Sequence, residues 1–170
     1  MSTHLDWRHS VTDIPEHGLT MKRSADGEIR AFVAAELDIM GCSRLDARYE
    51  INALGHGGYL LSGQLNADVI QACVITLEPV EERIDEPFEV EFRPGETLTA
   101  EFDAMETRDI EPLIDGLIPV GRIVYEQLAS ALNPYPRKEG AEHQSLPEKQ
   151  ETPEARGNPF AVLKNLKPKT

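Results

Sequence analysis

From Val80 to Phe92 polar and apolar positions separate with a period of two. Val80, Ile84, Phe88, Val90 and Phe92 fall on one face of an extended chain, with Glu82 and Glu86 among them. Glu81, Arg83, Asp85, Pro87, Glu89 and Glu91 fall on the other. That period predicts a half-buried strand, or two strands joined near Pro87. The same alternation, with odd positions apolar, runs through Leu45, Ala47, Tyr49, Ile51 and Ala53. It resumes at Tyr59 and continues through Leu61, Leu65, Ala67 and Val69. Between these two runs Gly55-His56-Gly57-Gly58 is long enough for a hairpin turn. A strand continuing from Tyr59 to Glu78 would be about three times the usual length, so a bend is expected near Asn66–Asp68. Pro79 ends that run and Arg93-Pro94-Gly95 ends the next.

Helical spacing appears twice. Ile29, Phe32, Val33 and Leu37 predict a helix from about Ser24 to Leu37, with Ser24 as N-cap, Asp26 and Glu28 at the positive end, and a turn at Gly41. A second helix begins near Pro119 and presents Val120, Ile123, Val124, Leu128, Ala131 and Leu132. It stops at Asn133-Pro134. A first short strand is expected over residues 7–14, before Pro15 and Gly18. Residues 96–114 show little periodicity, and a short strand near Leu98–Phe102 with an acidic loop is expected there. The fold class is therefore α+β: an antiparallel β-meander, open or curved into a barrel, packed with two main helices.

With 170 residues, the chain is about one domain long. That domain is expected to occupy residues 1–136. Residues 137–157 lack apolar side chains almost entirely and predict a disordered linker. Residues 158–170 form a basic, partly apolar end in which Phe160, Leu163 and Leu166 share a helical face, and it reads either as a strap docked on its own domain or as a motif for a partner. Charge follows the same division. The net charge is −13, yet 25 acidic and 10 basic residues precede position 137, whereas 5 acidic and 7 basic follow it. An acidic body repels phosphate backbones and attracts basic partners.

Two cysteines, Cys42 and Cys73, make no disulfide framework. The first residues lack the basic start and apolar run of a signal peptide, and no apolar run approaches the ~18 residues of a membrane span. A cytoplasmic monomer is the expectation. There is no nucleophile elbow, phosphate-cradling glycine loop or metalloprotease helix. His56 reads as an exposed turn imidazole. Val69, Ile70, Ala72, Val74 and Ile75 surround Cys73, so it reads as a core thiol with a raised pKa. No catalytic residue, metal or cofactor is expected. The candidate partner-binding residues are Glu81, Arg83, Asp85, Glu89 and Glu91 on the strand, with Asn158, Pro159, Phe160, Leu163, Lys164, Leu166 and Lys167 at the end of the chain.

Three segments carry a family resemblance. They are Cys73-Val74-Ile75-Thr76-Leu77-Glu78-Pro79-Val80 with Pro87 to Phe92, Asp115-Gly116 with the helix ending at Ala131 to Arg137, and Asn158 to Lys167. In this order they resemble the YceD family of bacterial large ribosomal RNA subunit accumulation proteins, over about Ser10 to Lys167. The last segment is close to the form of alphaproteobacterial-type members. Many relatives carry Cys-x-x-Cys where this chain has Cys73 and Thr76. The resemblance implies a part in accumulation of large-subunit ribosomal RNA, hence in ribosome assembly. With the acidic sheet, it reads as a non-enzymatic factor that binds a basic ribosomal protein or assembly factor, the tail (Arg156, Lys164, Lys167, Lys169) touching RNA or a second protein. Two other readings stand beside it. One is a metal-dependent ribonuclease using acids of the 96–111 loop such as Asp103 and Asp109. The other is a generic adaptor binding a protein through Phe160–Leu166.

Overall fold

The structure, a computed structural model, describes residues 5–95 and 109–141. In chain order the elements are β1 (His9–Ser10), β2 (Leu19–Ser24), α1 (Gly27–Glu36), β3 (Gly41–Ala53), β4 (Tyr59–Ala72), β5 (Pro79–Pro94), β6 (Asp109–Leu113), β7 (Leu117–Ile118) and α2 (Val120–Ala131). Five strands form one sheet in the order β2-β3-β4-β5-β6, antiparallel except for the β5–β6 pair, which is parallel. Among the described residues the sheet is open, with β2 and β6 at its edges, so it does not close into a barrel.

Register explains why the alternating pattern produces this sheet. Ile51 lies opposite Leu61, Ala47 opposite Leu65 and Leu45 opposite Ala67. On the next ladder Leu61 lies opposite Val90 and Ala67 opposite Ile84. Directly opposed residues share a face, so the apolar rows merge into one surface. Val33 of α1 and Val120, Val124 and Leu128 of α2 close over that surface, each fully buried. Gly63 is opposite both Tyr49 and Phe88. A Cβ there would lie 2.6 Å from the Arg48 carbonyl oxygen and 2.7 Å from Phe88 Cζ, so only glycine leaves room for the ring.

Several expectations need correction. β4 runs 14 residues with no bend at Asn66–Asp68, because β3 and β5 pair with it almost residue for residue on both sides. The irregularity falls on β3 instead, between Cys42 and Arg44. β5 also passes through Pro87 without a break; on that side of Pro87 no described strand needs its missing N–H. Ser24 does not cap α1. It ends β2 opposite Asp46, and Asp26 caps the helix by accepting from Ile29 N–H at 2.9 Å. Gly41 opens β3 rather than a turn. The first expected strand shrinks to two residues because the Ser10 side chain accepts from the Thr12 amide and turns Val11–Asp13 into a 3₁₀ helix. Residues 109–113, expected to lack structure, form the edge strand β6. The strand expected at 98–102 lies outside the described residues.

β7 was not anticipated. Asp115 and Gly116 take positive φ values of 53° and 65°, and Leu117 N–H donates to the Ile114 carbonyl at 3.0 Å. This Asp-Gly turn delivers β7 to β1, pairing Ile118 with His9.

Candidate functional site

The strand residues singled out by the sequence all lie on β5, the strand next to the β6 edge of the sheet. Glu81, Arg83, Asp85 and Glu89 are exposed and Glu91 is half-buried. They are not a uniform acidic row. Arg83 Nε pairs with Asp68 Oδ1 at 3.0 Å, and Glu91 Oε1 accepts from Arg93 Nε at 2.6 Å. Asp85 Oδ1 accepts from Gln64 Nε2 at 2.5 Å and from Asn66 Nδ2 at 3.4 Å. The Arg44–Asp46 pair at 2.7 Å lies on β3 of the same sheet. Exposed ion pairs of this sort contribute little to stability, about 0–1 kcal/mol each.

A second acidic row belongs to the same strand. Glu82 and Glu86 sit opposite Val69 and Leu65, in line with the core positions, yet Glu86 is exposed and Glu82 half-buried. β6 pairs only with Val90–Pro94. Among the described residues, the stretch of β5 from Pro79 to Glu89 therefore has a strand on one side only. Near its end the Pro87 carbonyl accepts from Gln127 Nε2 of α2 at 3.5 Å. The result is an edge with carboxylates above and below it. Charge on an edge strand discourages uncontrolled pairing. It also selects what can pair. The sequence signal for this second row was the intrusion of two glutamates into an apolar series.

The Cys73 turn sits at the far end of β4. Cys73 N–H donates to the Glu78 carbonyl at 2.8 Å, and Leu77, at φ 61°, donates to the Cys73 carbonyl at 2.9 Å. The Cys73 side chain is fully buried, but outside the main apolar cluster. Its sulfur accepts from the Lys138 amide at 3.4 Å and the Thr76 amide at 3.5 Å. These donors, Lys138 first and then Thr76, lower the thiol pKa to about 6. The apolar flanks suggested the opposite direction. They point elsewhere, and what faces the sulfur is backbone N–H. Cys42 follows the simpler rule, its thiol pushed up by burial.

The same turn holds the chain that follows α2. Val74 N–H donates to the Pro136 carbonyl at 2.9 Å, and Lys138 Nζ pairs with Glu78 Oε1 at 2.8 Å. Arg137 to Ala141, placed with the linker on sequence grounds, thus includes a residue fastened to the sheet.

Among the described residues no group of three His, Cys, Asp or Glu is arranged to hold a metal ion, and no helix is long and apolar enough to cross a membrane. Asp109 opens β6, exposed. Asp103 and the other acids of 96–106 lie outside the described residues. So do Asn158, Pro159, Phe160, Leu163, Lys164, Leu166 and Lys167.

Comparison with known proteins adds one finding. The family model described as "Large ribosomal RNA subunit accumulation protein YceD" matches residues 61–167, more than half of the chain. The match runs from within β4 through the Cys73 turn and α2 to the basic end. No curated protein and no solved structure matches.

Proposed function

Since this chain belongs to the YceD family, we propose that it serves large-subunit ribosomal RNA accumulation without catalysis, by docking an extended basic segment of a ribosomal protein or assembly factor along β5. The observation that carries this reading is the edge at Pro79–Glu89, which has a strand on one side only among the described residues and acids on both faces. A segment added there gains main-chain hydrogen bonds from the edge, while its alternate side chains reach the two faces. Lysine and arginine at successive positions would meet Glu81 and Asp85 on one face and Glu82 and Glu86 on the other. Ribosomal proteins offer such segments because they neutralise phosphate, and an acidic body steers them here while repelling RNA itself.

The test is sedimentation of the protein with large-subunit precursor particles at graded salt. Wild type is expected to co-sediment, less so as salt rises. Glu82→Lys with Glu86→Lys is expected to abolish co-sedimentation while leaving thermal stability unchanged. Undiminished co-sedimentation of that variant would sink the edge reading. Cleavage of precursor RNA by the pure protein with Mg²⁺ or Mn²⁺ would replace it with a nuclease.

A further inference from the structure

A groove of about 510 Å³ lies between α1, the first two turns of α2 and the segment leading into β1. Leu5, Phe32, Pro119 and Tyr125 line it, and its rim is charged. The two rim arginines are engaged: Arg8 with Asp6, and Arg122 with Glu126 at 3.0 Å and with Glu111. Glu36, exposed on the rim, has no cation paired with it among the described residues. An apolar floor with one unneutralised acid beside it suits an apolar side chain followed by a lysine.

We infer that this groove is the seat of the chain's own end, with Phe160 and Leu163 against Phe32 and Tyr125 and Lys164 beside Glu36. This does not depend on the function proposed for β5. Three observations support it. First, Asn158-Pro159 is a helix-start signal, Asn as N-cap and Pro at the first helical position. A helix begun there sets Phe160 and Leu163 at i and i+3, on one side. Second, residues 156–170 contain Arg156, Lys164, Lys167 and Lys169 and no acid, against a body of opposite sign. Third, the tether fits. The described chain ends at Ala141, beyond the C-terminal end of α2, and the groove lies at the other end of that helix. Twelve helical residues span about 18 Å. Eighteen residues, 142–159, separate Ala141 from Phe160, and a stretch of that length can extend to about 60 Å, well beyond the length of the helix. Attachment to the same chain gives the segment an effective concentration on the millimolar scale, which no separate peptide has.

Amide hydrogen exchange on the full-length protein tests this. Compared with wild type, Phe160→Ala with Leu163→Ala is expected to lose protection over Leu5–Arg8, Phe32–Leu37 and Gly121–Glu126, with only a small fall in the denaturation midpoint and no comparable loss in β3 and β4. Lys164→Glu, which removes no apolar contact, is expected to produce a smaller loss in the same segments, one that high salt imposes on wild type too. The pattern should persist on about tenfold dilution, because the contact is within one chain. No loss in these segments would overturn the inference. So would a loss in the variants together with wild-type protection that itself disappears on dilution, which would make a second copy the occupant.

Discussion

Gly121 lies directly beneath the Leu5 backbone. A Cβ on Gly121 would fall 1.8 Å from the Leu5 carbonyl oxygen, and the Gly121 N–H donates to the Trp7 carbonyl at 3.0 Å. The segment before β1 thus crosses the first turn of α2 at closest approach and satisfies an amide that has no partner within the helix. Trp7 and Leu5 are buried by that crossing. It also forms one wall of the groove.

Gly121→Ala is therefore expected to destabilise the protein by about 3 kcal/mol, since backbone rather than a flexible side chain must move. Gly55, where a Cβ would meet nothing within 4 Å, is the control. Gly55→Ala should change stability by less than about 0.5 kcal/mol in the same urea titration. Equal effects at the two sites would show that the crossing is not what requires glycine.

Leu128 is fully buried between α2 and the sheet, whereas Leu77 is 74% exposed on the Cys73 turn. Leu128→Ala should lower unfolding free energy by about 3 kcal/mol through lost burial and a residual cavity. Leu77→Ala should leave it within about 0.5 kcal/mol. Denaturation midpoints at constant slope decide the comparison.

His9 Nε2 lies 2.7 Å from the Tyr49 hydroxyl. Burial, reinforced by the charge of Arg23, holds the imidazole pKa below its ordinary 6.5, with Asp13 opposing. The unfolded chain then takes up the proton first as pH falls. Stability contributed by the neutral ring is complete above 6.5 and is lost as pH drops through the folded pKa. Urea midpoints should decline as pH falls below 6.5, and His9→Gln should flatten that decline. An unchanged slope in the variant would remove His9 as the cause.

Cys73 should titrate by thiolate absorbance with a midpoint near 6. The Thr76 hydroxyl helps hold the pKa down, so Thr76→Ala should raise the midpoint toward 9. Because the folded pKa is the lower one, stability from the thiolate rises with pH between about 6 and 9 and is absent below that window. A midpoint that stays near 9 in wild type would show that the amides of Lys138 and Thr76 do not face the sulfur in solution.

The three long strands were legible because each has one dry face and one wet face. Leu45 to Ile51, Leu61 to Val69 and Ile84 to Phe92 could hide their apolar side chains in only one register. α2 was legible from Val120 to Leu132 for the corresponding helical reason, down to its Asn133-Pro134 stop. β2 was not: Lys22, Arg23 and Ser24 are all exposed, and an edge strand with little to bury leaves little alternation. β1 and β7 are two residues each, shorter than any period. The Asp115-Gly116 dipeptide was the available signal for β7, since both residues adopt the positive φ such a turn needs. The stretch of β5 that has a strand on one side only among the described residues was half legible. Glu81 and Asp85 were visible as a row, but where pairing stops depends on the neighbouring strand, and among the described residues β6 pairs with five of the sixteen residues of β5.

What the sequence determined by itself was local: which faces are apolar, where helices stop, that the body is acidic and the end basic, and which family carries such segments. Those follow from side-chain chemistry at short spacing. The parallel entry of β6, the unbroken length of β4, the approach of Leu5 to Gly121 and the amides around Cys73 were decided only in the folded molecule. Each joins residues far apart in the chain. Such contacts form when burial of the merged apolar rows outweighs the entropy of closing the loops between them, and no short stretch of sequence contains both sides of that balance. Cys73 shows this most directly: its neighbours in the chain are apolar, its neighbours in space are N–H groups, and the second set governs its charge.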